Sequence, residues 1–116
     1  SVDYYEMAER IMGGRASTQE SVRLFMIPGR SHCYRGVGAA SGDFLSYLEA
    51  WVEQGQTPDM MIGYHPEGMT SGGANTSVPS RYTFTRPHYP YPLQARYKGS
   101  GDTNDYRNFE PVEPRN

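Results

Sequence analysis

The first twelve residues, SVDYYEMAERIM, place Tyr4, Met7, Ala8 and Ile11 at the three- and four-residue spacing of one helical face. Asp3 and Glu6 lie near the start, where carboxylates suit the positive end of a helix, and Gly13-Gly14 follows as a stop. The pattern predicts a helix over residues 1–12 with its Tyr and Met stripe turned to the core. After a polar link from Arg15 to Ser21, the run Val22 to Ile27 is apolar apart from Arg23 and closes at Pro28-Gly29, as a strand covered on both faces would. The loop RSHCYRGVGAASG has no regular period. A second helix is predicted from about Asp43 to Gln54. Phe44, Leu48, Trp51 and Val52 share a face, Ser41 or Asp43 can cap its start, and Gly55 supplies a left-handed end. Thr57-Pro58 then turns the chain into Asp59 to Tyr64, a second buried strand. Strand, loop, helix, strand is a βαβ unit, which predicts a parallel sheet with a right-handed crossover.

Beyond His65 the pattern fades. Residues 66–80, PEGMTSGGANTSVPS, are polar and rich in Gly, Ser and Thr, and read as a flexible loop. Arg81 to Arg86 suggests a short strand, Pro87, Pro90 and Pro92 force an extended path, and Leu93 to Tyr97 is strand-like before an irregular tail.

Composition narrows the class. Leu, Ile, Val and Phe make up 17 of the 116 residues, so any single core is thin. Ten tyrosines and a net charge of only -2 argue against disorder throughout. Eleven basic residues are scattered among thirteen acidic ones, so no nucleic-acid backbone or anionic membrane is expected as a partner. No apolar run is long enough for a membrane span, and no signal-peptide pattern opens the chain. The single cysteine, Cys33, cannot form a disulfide within this chain. It is either a small buried apolar residue or, in an exported protein, bonded to something outside it.

Functional groups on a parallel sheet gather on loops beyond the carboxyl ends of its strands, and His32 lies five residues past Ile27 in such a place. An ordinary surface histidine fits the same position. His32, His65 and His88 match no zinc spacing, and no metal or other cofactor is expected. Asp102-Thr-Asn104-Asp105 lacks the glycine and glutamate of a calcium loop and reads as a solvated turn. Asn75-Thr-Ser77 fits the glycosylation pattern, Gly99-Ser-Gly101 is too short for a phosphate loop, and the Tyr and Pro cluster from Tyr82 to Tyr97 suits packing over a sheet edge better than substrate contact.

Four blocks carry a resemblance: Arg23-Leu-Phe-Met-Ile-Pro-Gly-Arg-Ser-His-Cys33, Leu48-Glu-Ala-Trp-Val-Glu-Gln-Gly55 with Thr57-Pro-Asp59, Tyr89-Pro-Tyr-Pro92, and Ala95-Arg-Tyr-Lys-Gly-Ser-Gly-Asp102. In order and approximate spacing they resemble the C-terminal part of the tannase and feruloyl esterase family, and Asp3-Tyr-Tyr-Glu6 resembles the helix before the first block. The resemblance implies an α/β fold: residues 1–65 as the C-terminal part of an α/β-hydrolase core, 66–80 as a loop, and 81–116 as short strands and a Pro- and Tyr-rich tail. It implies hydrolysis of phenolic-acid esters by a Ser-His-Asp triad, with His32 the catalytic base and Cys33 bonded to a cysteine directly before the nucleophilic serine.

The same resemblance places that serine and the triad aspartate upstream of Asp3, so neither is in this chain, and no G-x-S-x-G elbow occurs. Asp3 reads as a helix-terminus charge and not as a substitute. Tyr89 stands where relatives commonly have cysteine, and Arg30-Ser31 replaces smaller residues before His32. The expectation is therefore a chain inactive alone, whose partner is a segment or chain carrying Cys-Ser and Asp, in a secreted or periplasmic protein. The competing expectation is a non-catalytic interaction module completed by another chain.

Overall fold

The computed structural model describes residues 2–29, 37–67 and 78–114. Helix α1, Val2–Ile11, forms as its pattern predicts but faces the other way. Tyr5 and Glu9, one turn apart, are its buried residues, whereas Tyr4 is 78% and Ile11 79% exposed and Met7 is also open. The reason lies in polar partners. The Tyr5 hydroxyl donates to Val22 O (3.2 Å), its ring meets Tyr91 edge-on, and Glu9 accepts from Arg15 Nε (2.9 Å). Among the described residues, no element receives the apolar stripe.

Helix α2, Arg15–Gln19, occupies what the sequence suggests is a link. Both the N–H and the hydroxyl of buried Thr18 donate to Gly14 O (3.0 and 2.8 Å), and a five-residue polar helix has no apolar period to betray it. Helix α3, Phe44–Gln54, lies where expected, with Asp43 accepting from Ser46 N–H as its cap and Gly55 left-handed at its end (φ 68°). Its apolar stripe is again open: Leu45 and Leu48 are exposed and Val52 is 76% exposed, while Phe44, Tyr47 and Trp51 are half-buried.

The predicted parallel sheet is absent from the described residues. Strand β1, Met61–Pro66, pairs antiparallel with β2, Tyr82–His88, and β3, Gln94–Tyr97, pairs antiparallel with β4, Phe109–Val112. The segment Val22 to Ile27 is extended, but its ladder is one antiparallel bridge, Phe25 to Pro90, with Tyr91 N–H donating to Leu24 O (2.7 Å). Val22 and Met26 are exposed, so the double cover that the apolar run implies is not present.

β1 also has no room for a parallel neighbour along its second edge. Tyr64 exchanges both backbone bonds with Ser41 (2.7 and 3.0 Å), and Ile62 N–H donates to the Tyr47 hydroxyl (3.1 Å). Pro87 stands opposite Ile62, a non-hydrogen-bonded pair, so its missing N–H faces away from β1 and the ladder loses nothing. On the outer side of β2, Thr85 N–H donates to Asn104 O (2.9 Å). Arg86 ties β2 to the β3–β4 hairpin: its guanidinium lies 4.7 Å from the ring centres of both Phe84 and Phe109 and donates to Thr103 O (2.7 Å).

Candidate functional site

His32 and Cys33, the residues singled out for chemistry, fall in 30–36, outside the described residues. Asn75-Thr-Ser77 and most of the 66–80 loop fall outside them as well. The two flanks of 30–36 are described, and they meet: Gly38 N–H donates to Gly29 O (3.0 Å). Gly29 is left-handed (φ 73°), and a Cβ on it would press on Gly38 N at 2.8 Å. A Cβ on Gly38 would in turn overlap Pro28 O. Glycine at both positions lets the backbones approach this closely.

From Gly38 onward the chain is held along β1. Ala39, Ala40 and Ser41 are buried, and the Ser41 bridge to Tyr64 fixes the register. The bridge is isolated: Ala39 has left the ladder, and its carbonyl lies over Gly63 on the face of β1. The Ala39 carbonyl is reached by a side chain instead: His88 Nε2 lies 2.7 Å from it, and His65 Nδ1 lies 2.9 Å from Gly38 O. The His88 ring crosses over Gly63, where any Cβ would overlap both that ring and Ala39 O. Phe84, facing His65 across the ladder, stacks flat on its imidazole at 4.7 Å between centres.

Because a carbonyl oxygen only accepts, each ring must carry its proton on the contacting nitrogen, which fixes the tautomers as Nδ1–H for His65 and Nε2–H for His88. His88 is 4% exposed. Burial pushes its pKa below the usual histidine value, and the bond to Ala39 opposes this more weakly. His88 is therefore a neutral imidazole near pH 7.

A cavity of about 630 Å³ opens beside this anchorage, with Pro28, Gly38, Phe84, Arg86, His88 and Phe109 among its walls. The remaining candidates resolve into structure. Among the described residues, no three His, Cys, Asp or Glu side chains gather as metal ligands. Asp102 accepts from Asn104 N–H (2.9 Å) and Asp105 accepts from Arg107 N–H (3.0 Å), the geometry of solvated turns. Arg107, paired with Asp105 through two further nitrogens, holds that carboxyl down to about 2. Tyr82 packs edge-on against Tyr64 and Tyr97 lies against Phe109. Sequence reasoning weighed His65 and His88 only as metal ligands and missed their role as anchors. The signal available was Gly63 in the middle of an otherwise apolar strand, a mark of close approach.

Comparison with known proteins supplies the rest. The family model described as tannase and feruloyl esterase matches residues 1–112. The chain is 41% identical over 114 residues to the mono(2-hydroxyethyl) terephthalate hydrolase of Piscinibacter sakaiensis, with 98% of this chain and 17% of that protein covered. It is 40% identical over 112 residues to a probable feruloyl esterase of Arthroderma benhamiae, with 95% and 19% covered. Among solved structures, an esterase from Aspergillus oryzae matches 94% of this chain and 23% of its own at a TM-score of 0.77 and 27% identity. The chain thus spans about a fifth of the length of the relatives it matches. Its mixed helix-and-strand fold has esterases as structural neighbours, and with the family model running through all but its last four residues, the chain belongs to the tannase and feruloyl esterase family of carboxylic ester hydrolases.

Proposed function

We propose that this chain is the base-bearing C-terminal portion of an α/β-hydrolase that cleaves esters of aromatic carboxylic acids, phenolic acids above all. His32 is the general base, and Cys33 forms a disulfide beside a nucleophilic serine carried, with the triad aspartate, on a segment or chain outside these 116 residues. The observation that supports this best is the family match through residues 1–112, which includes the His32-Cys33 pair. Two relatives are named for esters of aromatic acids, a terephthalate and a ferulate, which supports the substrate class. A disulfide of this kind suits an extracellular or periplasmic protein.

In the proposed reaction His32 takes the serine proton as the oxygen attacks the ester carbonyl. The imidazolium then returns that proton to the departing alcohol, leaving an acyl-serine. Water, deprotonated by the same imidazole, releases the acid and restores the serine. Without serine, aspartate and the oxyanion hole, the isolated chain is left with an imidazole in water.

The test is a graft in which this chain replaces the matching 114 residues of the terephthalate-ester hydrolase. The graft hydrolyses its ester and methyl ferulate, and His32→Ala lowers kcat by about a thousandfold or more. The 116-residue chain alone does not exceed free imidazole. A graft whose rate survives His32→Ala overturns the assignment.

The second reading, a non-catalytic module completed by another chain, is favoured by the open stripes Tyr4, Met7, Ile11 and Leu45, Leu48, Val52. Size-exclusion chromatography separates the two routes to a partner: capture through Cys33 disappears with reductant, and apolar pairing does not.

A further inference from the structure

Two histidines on adjacent strands reach carbonyls that follow one another in the chain, and neither belongs to the proposed triad. We infer that His65 and His88 are positioning residues for the segment that carries His32, holding the carbonyls of Gly38 and Ala39 six and seven residues beyond the base. This inference rests on His32 being that base.

Three features of the geometry carry it. First, among the described residues the ladder beside β1 is the single bridge of Ser41 to Tyr64, and the anchored carbonyls lie beyond it over the face of β1, Ala39 O against Gly63. Without the imidazoles, Ala39 O and Gly38 O would lose these donors. Second, the same backbone is gripped from its other end, where Gly38 N–H meets Gly29 O. Both flanks of the segment are thus fastened to one point, and that point is fastened to β1 and β2. Third, the packing leaves the rings little freedom. His88 is buried over Gly63, and His65 is sandwiched against Phe84. A general base must stay within hydrogen-bond reach of its nucleophile, and a misplacement of about 1 Å costs on the order of a hundredfold in rate. A rigid footing close to the base supplies that constancy.

The role belongs to a donor at a fixed place and not to ring bulk, which makes it separable from plain packing. Gln can present its amide near the place of Nε2, and Asn near that of Nδ1, whereas Phe fills the space with no donor. In the 116-residue chain, hydrogen exchange at the Gly38 and Ser41 amides is expected to quicken about tenfold in His88→Phe and to stay near the parent rate in His88→Gln, with the β3–β4 ladder unchanged as the internal control. Should His88→Phe unfold the chain, His65→Ala set against His65→Asn poses the same comparison at Gly38. Equal exchange in the Phe and Gln variants, or in the Ala and Asn variants, overturns the anchoring role.

In the graft described above, His88→Phe lowers kcat about tenfold or more with KM unchanged, and His88→Gln restores most of it. The two readings fail separately. A graft that does not need His32 overturns the base assignment. A graft that needs His32 but is indifferent to His88→Phe overturns the positioning role.

Discussion

The surroundings of β1 and β2 and the outward sides of α1 and α3 invert the usual rule of burial. Around the strands, most residues removed from solvent are small or polar, among them Ala39, Ala40, Ser41, Gly63, Thr85 and His88, with Met61, Pro87 and Pro90 the larger apolar ones. On the helices, the residues left in solvent are large and apolar, among them Tyr4, Ile11 and Val52. The difference teaches that this chain decides what to bury by hydrogen-bond geometry and close backbone approach. Among the described residues, nothing covers Tyr4, Ile11 or Val52.

The sharpest way to break this comparison is Gly63→Val. The new side chain must displace the His88 ring or the Ala39 carbonyl, and the chain is expected to lose about 3 kcal/mol, read from the shift in its urea midpoint. An unshifted midpoint would show that the close approach is not what holds the strand region together.

A gentler probe is acid. The buried His88 imidazole has a lowered pKa, so between that value and the ordinary histidine value of about 6.5 the unfolded chain binds more protons than the folded one. The contribution of this group is therefore full above about pH 6.5, declines as pH falls through that window, and levels off below it. His88→Gln is expected to flatten the decline. An equally steep decline in that variant would assign it to another group.

The smallest effect belongs to the helices. Ile11→Ser and Leu48→Ser, made together, change the stability of the isolated chain by no more than about 0.5 kcal/mol each, read from the urea midpoint. A loss several times larger would place the stripes inside this chain's own core and erase the contrast.

How much of this was legible beforehand differs by region. Helices α1 and α3 were visible from spacing and caps, because both signals are local: Asp43 and Gly55 act within a turn of themselves. The side that α1 buries was not visible. Periodicity finds the apolar stripe of Tyr4, Met7 and Ile11, but burial went to Tyr5 and Glu9, whose partners Val22 and Arg15 become neighbours only in the fold. The sequence predicts a strand from Asp59 to Tyr64 in a parallel sheet, and the structure has β1 at Met61–Pro66, paired antiparallel with β2. A run such as Val22 to Ile27 suggests a covered strand without naming the strand beside it, and here the edge of β1 was already taken by Ser41 and Tyr47.

At the site, the family resemblance carried by Arg23 to Cys33 is met by the match through residues 1–112, while the catalytic role proposed for His32 rests on that kinship alone. The anchors His65 and His88 were not legible. Histidines 23 residues apart meet successive carbonyls only because β1 and β2 are paired in the register they have.

Pro87 has a consequence for how this chain behaves among copies of itself. A bare strand margin invites a neighbouring molecule to dock backbone to backbone and start a fibril. Beyond β2 such a newcomer would find the Thr85 amide already engaged by Asn104 and no amide at all on Pro87, and on the far flank of β1 it would meet Ser41 and the Tyr47 hydroxyl. Among the described residues the pair is thus guarded at these positions on both flanks, whereas the greasy stripes of α1 and α3 carry no such guard.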